Sequence, residues 1–349
     1  MGALTLANSQ VLSNTGSDTG GIYSKGALLI RDSLIASNTI PSSSGGGIIA
    51  WTGSATLINT LVRGNSANSW GGGLVSIAAA VTVSRSTFLS NTASDGAGLY
   101  SQVGAAIVES TFAGNQAGQA GGALMVTGGT LALDRSTLSG NVVTGTTFGG
   151  GAIMAGSAVT LVVTNTTISG NTSAHHGGGL YLFSGTANFN NVTLTGNQAD
   201  SDGSGAGDGG GVWVAPSAAT LNLRNTLLAG NADLSPVTRH PDCSGPLASQ
   251  GYNLLGEDTG CSLTPVLGDQ VGSAANPIDP RLASLQNNGG PTLTHALRPD
   301  SPALDNANPA NCAPVDQRGQ PRPEGPACDI GAFEGFLAGL RLYLPLILR

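Results

Sequence analysis

Residues 105–124 read AAIVESTFAGNQAGQAGGAL. In this stretch the apolar residues Ala105 and Ile107 stand two positions apart, which is the spacing of side chains on one face of a β-strand. Phe112 precedes Asn115 by three positions, and a pair of glycines then leads to another aliphatic residue. The stretch therefore predicts short strands with one buried face, separated by polar and glycine-rich corners.

The same arrangement recurs along most of the chain. An asparagine that follows Ser or Gly returns at intervals of 24 to 34 residues, and the positions three, eight and ten before it are always apolar. The nine copies are Asn14, Asn38, Asn65, Asn91, Asn115, Asn141, Asn171, Asn197 and Asn231. Such a repeat predicts a solenoid, because each coil buries its apolar residues against the next coil.

We therefore expect an all-β fold, a right-handed parallel β-helix of about nine coils over residues 1–231, followed by a disulfide-bonded C-terminal region. Coils about 4.8 Å apart give a rod roughly 43 Å long. An asparagine at an inward corner offers both a donor and an acceptor, so stacked copies can pair along the rod axis. The nine asparagines are thus predicted to form an internal, structural ladder.

The composition restricts the possible partners. Only 9% of the residues are charged, the net charge is −7, and Lys25 is the single lysine. Nucleic acid is not an expected partner, because phosphate contacts need clustered lysine and arginine. No apolar run has the length of a membrane span. Residues 1–8 already belong to the repeat and carry neither a secretion signal nor a polar cap, so we expect the chain to be N-terminally incomplete.

Two alternating motifs resemble the repeat of polymorphic outer-membrane proteins. Gly121-Gly122-Ala123-Leu124 and Gly150-Gly151-Ala152-Ile153 resemble one half of that repeat. Phe88-Leu89-Ser90-Asn91 and Phe112-Ala113-Gly114-Asn115 resemble the other half. Those proteins are bacterial surface β-helices associated with adhesion. Most coils here depart from the motif, with Leu, Ile or Val in place of the phenylalanine. The resemblance implies a cell-surface location and a role in adhesion.

The region 232–335 resembles the choice-of-anchor Q domain. Five short motifs carry the resemblance: Asn288-Gly289-Gly290-Pro291-Thr292, His295-Ala296-Leu297, Ser301-Pro302-Ala303-Leu304-Asp305, Asp316-Gln317-Arg318-Gly319 and Cys328-Asp329-Ile330-Gly331-Ala332-Phe333-Glu334. Leu304 stands where the family usually has Ile. Such domains follow β-helices in bacterial surface proteins whose chains end in varied anchoring signals. The resemblance implies an extracellular or cell-surface location and says nothing of a substrate.

An apolar tail, residues 336–349, ends the chain and reads FLAGLRLYLPLILR. With 14 residues, and with Arg341 and Pro345 inside, it cannot span a bilayer alone. We interpret the tail as an anchoring or sorting signal, because the region before it resembles one that precedes anchors. A strand that covers the last coil is the alternative. Attachment to the cell envelope is expected to run through this tail.

All four cysteines lie in the C-terminal region, at Cys243, Cys261, Cys312 and Cys328. An even number in a secreted protein predicts disulfides, and four cysteines allow three pairings. The favoured pairing joins Cys243 to Cys261 and Cys312 to Cys328, since each bond then closes a short loop and contributes about 3 kcal/mol. A zinc site is the weaker alternative, because no two of these cysteines have the close spacing of zinc ligands.

The positions of the acidic residues argue against a catalytic function. Polysaccharide lyases and glycoside hydrolases of the pectate-lyase-like fold need clustered carboxylates, or carboxylates beside a base. In residues 1–231 the acids are mostly separated by a coil or more, and His176-Gly177 matches part of a polygalacturonase motif without its acids. We therefore expect a non-catalytic protein that mediates adhesion or contact with a carbohydrate or protein. Such a lyase or hydrolase is the alternative, and a structural envelope spacer is the second alternative.

A metal site is the next candidate. Asp200, Asp202 and Asp208 lie in the longest loop between an asparagine and the following glycine corner, and His175 and His176 lie in the loop of the preceding coil. Oxygen ligands at alternating positions suit Ca²⁺, and the histidine pair suits a transition metal. The alternative is a solvated Gly/Ser-rich loop, which the composition favours. No other cofactor is expected.

The last candidate is an aromatic stripe that faces outward. The residue after each glycine corner is aliphatic and must point inward, so the next residue and the one two positions later must point outward. The aromatic members of this stripe are Tyr23, Trp51, Tyr100, Tyr181, Phe183 and Trp213. An exposed apolar stripe marks a binding surface, and aromatic faces suit sugar rings or a protein partner. The alternative is that a loop or the C-terminal region covers the stripe.

Overall fold

The computed structural model describes residues 2–335, and within them the chain forms strands and turns without a helix. The strands build a parallel β-solenoid of about ten coils, close to the nine expected. Three sheets run along the solenoid, which we call sheets A, B and C. The predicted tail at 336–349 lies outside the described residues.

Sheet A holds two strands of most coils, and the two merge into one strand at Ile48–Ile58, Leu74–Ser84 and Cys243–Ser249. Its strands are Leu4–Ala7, Ile22–Ser24, Ala27–Arg31, Ile48–Ile58, Leu74–Ser84, Leu99–Ser101, Gly104–Val108, Leu124–Val126, Thr130–Asp134, Ile153–Ala155, Val159–Thr164, Leu180–Leu182, Gly185–Asn190, Val212–Val214, Ala219–Arg224, Cys243–Ser249 and Cys261–Leu263. Each strand pairs in parallel with its counterpart in the next coil, as Leu99–Ser101 does with Leu124–Val126.

Sheets B and C complete each coil. Sheet B consists of Gln10–Leu12, Leu34–Ala36, Leu61–Arg63, Thr87–Leu89, Thr111–Ala113, Thr137–Ser139, Thr167–Ser169, Thr193–Thr195, Leu227–Leu228, Leu254–Leu255 and Gln270–Val271. Sheet C consists of Thr39–Ile40, Ser66–Ala67, Thr92–Asp95, Gln116–Ala120, Val142–Val143, Thr172–Ser173, Gln198–Ala199 and Ala232–Asp233.

The core lies between the three sheets and contains the apolar columns of the repeat. Ile107, Phe112 and Leu124 are fully buried, and the rings of Phe88 and Phe112 stack with their centroids 4.5 Å apart. Successive coils come close at the glycine corners: a Cβ at Gly98 would lie 2.5 Å from the carbonyl oxygen of Ala123. A side chain there would force the coils apart.

The nine asparagines stack in a single column, and the eight after Asn14 are buried. In the middle of the column the Nδ2 of Asn115 donates to the Oδ1 of Asn141 at 2.9 Å and to the carbonyl of Phe88 at 3.0 Å. The Oδ1 of Asn115 accepts from the Nδ2 of Asn91 at 2.9 Å. Each inner amide is thus paired on both sides, as the predicted ladder requires.

A carboxylate continues the ladder beyond the last asparagine. The Nδ2 of Asn231 donates to the Oδ1 of Asp242 at 2.9 Å, and the backbone N–H of Glu257 donates to the other oxygen at 2.8 Å. Burial raises the pKa of Asp242 to about 6, although these donors act in the opposite direction. The sequence pattern did not reveal this residue, because Asp242 follows Asn231 by 11 residues instead of a full repeat.

The corner between sheets A and B has a left-handed backbone in successive coils. Its residue stands six positions before the ladder asparagine and is Asn8, Asp32, Asn59, Arg85, Glu109, Arg135, Asn165, Asn191 or Asn225, each with a φ between 46° and 54°. Asparagine is common there because it tolerates this conformation better than most residues. Arg135 and Glu109 form an ion pair across neighbouring coils at 3.1 Å.

Parallel pairing continues beyond residue 231, where the regular repeat ends. Cys243–Ser249 pairs with both Val212–Val214 and Ala219–Arg224, and Cys261–Leu263 pairs with Cys243–Ser249 in turn. Disulfides join Cys243 to Cys261 and Cys312 to Cys328, which is the pairing favoured from the sequence. The first of them links two neighbouring coils covalently.

The residues after Val271 fold back along the outer face of sheet B. Gln317 is buried there: its Oε1 accepts from the hydroxyl of Thr167 at 2.6 Å, and its Nε2 donates to the hydroxyl of Thr137 at 2.9 Å. The Nε2 of His295 lies 2.8 Å from the hydroxyl of Ser169. A buried ion pair between Arg322 and Glu334 at 2.8 Å holds this region together. The predicted C-terminal region therefore packs on the solenoid.

No helix in the described part of the chain is long and apolar enough to cross a membrane.

Candidate functional site

The outward column next to the glycine corners lies on one line along sheet A. Parallel pairing places the following residues in register, one per coil: Tyr23, Ile49, Val75, Tyr100, Met125, Met154, Tyr181, Trp213 and Ser244. Their inward neighbours, such as Ile22 and Leu99, belong to the core. The alternation that predicts the aromatic stripe thus holds through the solenoid, and loops decide which rings reach solvent.

The six predicted stripe residues have different exposures. Tyr23, Trp51 and Phe183 are exposed to 40%, 44% and 46%, and Trp213 is half-buried. Tyr100 and Tyr181 are only 5% exposed, because rings from neighbouring loops and coils lie over them. Both residues lie in the outward column as predicted, but the expectation that their rings are exposed to solvent is wrong.

An open groove lies over the first four coils of the stripe, and we call it the N-terminal groove. It has a volume of about 740 Å³ and is lined by Asp18, Thr19, Tyr23, Lys25, Ser43, Ser44, Ile49, Trp51, Trp70, Val75, Ile77 and Gln102. Aromatic rings and small polar side chains thus share one concave surface. This mixture is typical of a site that binds an organic ligand.

Three aromatic side chains, Tyr23, Trp51 and Trp70, line the N-terminal groove. The ring of Trp70 stacks on that of Tyr100, with centroids 4.8 Å apart and planes 10° from parallel. Tyr23 and Trp51 stand 6.3 Å apart at a tilt of 35°. Sequence reasoning missed Trp70, since it lies in a loop outside the repeat columns. Trp70 stands directly before Gly71 at a glycine corner, as no other tryptophan of the chain does. This position is the signal that could have identified it.

Polar groups of the N-terminal groove include a single positive and a single negative charge. The Nζ of Lys25 lies 5.6 Å from the centre of the Tyr23 ring, within the range of a cation–π contact. Asp18 supplies the negative charge, and Ser43, Ser44 and Gln102 supply neutral donors and acceptors. The groove is therefore polar but close to neutral.

A second aromatic group lies farther along the same face, and we call it the C-terminal cluster: His175, His176, Tyr181, Phe183 and Trp213. The Trp213 ring stacks on Tyr181 at 4.7 Å and on His176 at 4.8 Å. Burial and the neighbouring His175 lower the pKa of His176 to about 4, so the imidazole is neutral at pH 7. Phe183 stands beside Tyr181 at 6.2 Å and remains exposed.

Two of the three carboxylates proposed as Ca²⁺ ligands accept hydrogen bonds from within their own loop. Asp200 accepts from the N–H of Gly205 at 2.8 Å, and Asp202 accepts from the N–H of Ser204 at 3.1 Å. Asp208 bonds instead to side chains of the following coil. Within residues 2–335 no three His, Cys, Asp or Glu side chains come together as metal ligands. The bonds of Asp200 and Asp202 are those of Asx turns, and the Ca²⁺ site stays a prediction.

Asp208 binds two side chains from the coil that follows. Its Oδ1 lies 2.5 Å from the Nδ1 of His240, and its Oδ2 accepts from the hydroxyl of Ser244 at 2.7 Å. Ser244 is the register neighbour of Trp213, so this group adjoins the C-terminal cluster. A carboxylate that holds one imidazole nitrogen leaves the other nitrogen free to exchange a proton.

The comparisons with known proteins identify one family. Its model, described as "Right handed beta helix region", matches residues 2–166 and 78–252, which together cover most of the chain. The two matches overlap, as expected where a repeat can be aligned in more than one register. Neither the curated proteins nor the solved structures contain a match.

Proposed function

Because this chain belongs to the right-handed beta helix family, whose fold serves both adhesins and pectate-lyase-like enzymes, we propose that it is a non-catalytic extracellular protein that binds carbohydrate through the N-terminal groove. The observation that carries this proposal is the presence of three aromatic rings, Tyr23, Trp51 and Trp70, in one neutral, concave surface. Adhesion to a glycan-bearing surface is the role that such a site would serve.

The aromatic rings provide the main driving force. Trp51 and Trp70 expose 44% and 37% of their surface to water, although both are large and apolar. A sugar ring has an apolar face that can lie against an indole, and covering one such ring contributes roughly 1.5–3 kcal/mol. The stacking of Trp70 on Tyr100 fixes its orientation before a ligand arrives. Less conformational entropy is then lost on binding.

The polar residues supply the specificity. Ser43, Ser44 and Gln102 offer hydroxyl and amide groups at the edge of the rings, and sugar hydroxyls are both donors and acceptors. With one lysine and one aspartate, the N-terminal groove has no excess charge to select a strongly acidic ligand. A neutral or weakly charged glycan therefore fits better than a polyanion.

The N-terminal groove lacks the usual means of cleaving a glycan. Retaining and inverting glycosidases generally use two carboxyl groups on either side of the bond. The residues that line this groove include a single carboxylate, Asp18. This supports binding without turnover as the function of the groove.

The alternative, a polysaccharide-cleaving enzyme, is favoured by one observation elsewhere. His240, oriented by Asp208 beside the C-terminal cluster, is placed as a general base would be. Incubation of the protein with polysaccharides, followed by a reducing-end assay, tests this alternative. If the wild-type protein releases new reducing ends and His240→Ala does not, cleavage is established. If the wild-type protein releases no reducing ends, binding remains the proposed function.

An extracellular or cell-surface location agrees with the two disulfides, because such bonds persist in oxidising compartments. We propose that the C-terminal region, which resembles the choice-of-anchor Q domain, orients the solenoid at the cell envelope. Fractionation of the producing cells, with antibody detection of the protein, tests the location. Recovery from the reducing cytosol would contradict it.

A glycan array tests the binding function. The wild-type protein should retain one or a few related glycans, and Trp70→Ala should lose them. Phe148→Ala is the matched control, since Phe148 is also exposed, to 39%, but does not line the groove. Equal retention by the wild type and by Trp70→Ala would contradict the assignment of the site.

A further inference from the structure

We propose that the ligand is a neutral linear polysaccharide, which runs along the rod from the N-terminal groove to the C-terminal cluster and occupies the cluster as a second subsite. This inference rests on the proposed function and specifies the shape of its ligand. It assigns a binding role to Phe183 and Trp213, which do not line the N-terminal groove.

The two aromatic sites lie on one line parallel to the rod axis. Trp51 follows Ile49 by two residues, and Phe183 follows Tyr181 by two residues, so the two side chains hold equivalent positions in their coils. Ile49 and Tyr181 are five coils apart in the register of sheet A. At about 4.8 Å per coil, Trp51 and Phe183 are separated by about 24 Å. A ligand that contacts both must be extended over that length.

Four coils lie between the two sites. The equivalent positions in the intervening coils are Ile77, Gln102, Thr127 and Gly156. None of these side chains carries a charge, none is aromatic, and the last position has no side chain at all. Gln102 and Thr127 are half-buried, so part of each polar side chain reaches the surface. A polysaccharide can therefore pass over this stretch and form hydrogen bonds at successive coils.

The C-terminal cluster is built as a rigid platform. Trp213 is half-buried because its ring packs on Tyr181 and on the neutral His176. Phe183, exposed to 46%, adds an open ring beside Tyr181. Rings held by stacking lose little freedom on binding, and an exposed apolar ring is stabilised when a ligand covers it.

The charges favour a neutral glycan over an acidic one. The chain carries a net charge of −7, and Asp208 lies beside the C-terminal cluster, where it adds a negative charge. Lys25 is the only lysine along the entire line. A polyanion that spanned both sites would thus meet more repulsion than attraction. An extended polypeptide could also lie on aromatic rings, and the experiment below includes one.

Dependence of affinity on chain length tests the inference. The probes are cellobiose and a long soluble β-1,4-glucan, the corresponding β-1,4-mannan pair, and an unfolded Gly/Ser-rich polypeptide as the protein comparison. The wild-type protein should bind one long neutral glycan at least ten-fold more tightly than its disaccharide, because the second contact becomes intramolecular once the first is made. Phe183→Ala should lose most of this gain and leave disaccharide affinity unchanged.

Trp213→Ala should act in the same way as Phe183→Ala, and Trp51→Ala should weaken both short and long ligands. Phe183→Ala is the primary variant because its exposed ring can be removed with little effect on folding, which circular dichroism verifies. Equal affinity for short and long glycans, or an unchanged long-chain affinity in both cluster variants, would overturn the second subsite. So would binding of neither neutral series, or tighter binding of the polypeptide. The proposed function itself is tested separately, and it fails if no glycan on the array binds in a Trp70-dependent manner.

Discussion

Asn115 illustrates how one residue type supports the whole solenoid. Its side chain pairs with Asn91 on one side and Asn141 on the other, and it also binds the carbonyl of Phe88. The role follows from chemistry that the sequence already contains, because an amide carries a donor and an acceptor on two separate atoms and can pair with both neighbours in a column. A column of identical residues at regular spacing could therefore be interpreted correctly before the structure was known.

Replacing a central rung of this ladder should be costly. We expect Asn115→Ala to lower the free energy of unfolding by about 1–3 kcal/mol, since the amide partners on both sides would remain buried without hydrogen bonds. Asn14→Ala is the control, because Asn14 is exposed and its Nδ2 pairs with Asn38 alone. Urea denaturation of both variants measures the difference. Equal losses would show that the pairing between amides contributes little.

Asp242 should make stability depend on pH. Burial raises the pKa of Asp242 to about 6 in the folded protein, against about 4 for an unfolded aspartate. The folded state then binds the proton more tightly, so stability falls as the pH rises from about 4 through about 6. The size of this loss is on the order of 2–3 kcal/mol.

Asp242→Asn isolates that contribution. The variant cannot titrate at this position, so its stability relative to the wild type should rise as the pH increases from 4 to 7. Denaturant midpoints of both proteins across this range measure the difference, and other titrating groups cancel. Parallel pH profiles would contradict a raised pKa for Asp242.

The strands and the loops of each coil differed in how well they could be predicted. The strands follow alternation, which is a local property, so Tyr23 and Tyr100 were both correctly predicted to point outward. Whether a ring stays exposed depends on the path of the loops, and this path is set by contacts between neighbouring coils. Trp70 covers Tyr100 from such a loop, and no spacing rule predicts that contact.

The difference between covered and open rings gives a prediction for stability. Tyr100→Ala should lower the free energy of unfolding by about 3–5 kcal/mol, because it leaves a cavity beneath Trp70. Trp51→Ala should change it by no more than about 0.5 kcal/mol, since that ring is exposed and at the surface. Thermal unfolding followed by circular dichroism compares the two. A large loss in Trp51→Ala would mean that its ring belongs to the fold and not to a binding surface.

At the scale of the whole molecule, the C-terminal region is packed along the solenoid. The sequence indicated a separate region from residue 232, because the repeat loses its spacing there. Local patterns could not reveal where that region packs, since the contacts join residues more than a hundred positions apart. Gln317 meets Thr137 and Thr167, for example, at separations of 180 and 150 residues.

Gln317 should therefore couple the C-terminal region to the coils. Gln317→Ala removes a buried amide that bonds to both threonines, and we expect a loss of about 1–3 kcal/mol. Gln320→Ala is the control, since Gln320 is exposed three residues away. Hydrogen exchange should show faster exchange of residues 280–335 in Gln317→Ala alone. Unchanged exchange would mean that other contacts hold the region by themselves.

Carbohydrate binding by the N-terminal groove is the central claim about the whole molecule. Isothermal titration of the glycan selected on the array, into the wild type and into Trp51→Ala, tests this claim most directly. We expect at least ten-fold weaker binding by Trp51→Ala, because about 1.5–3 kcal/mol of ring burial is lost while the fold is unchanged. Identical affinities in two equally stable proteins would contradict the claim.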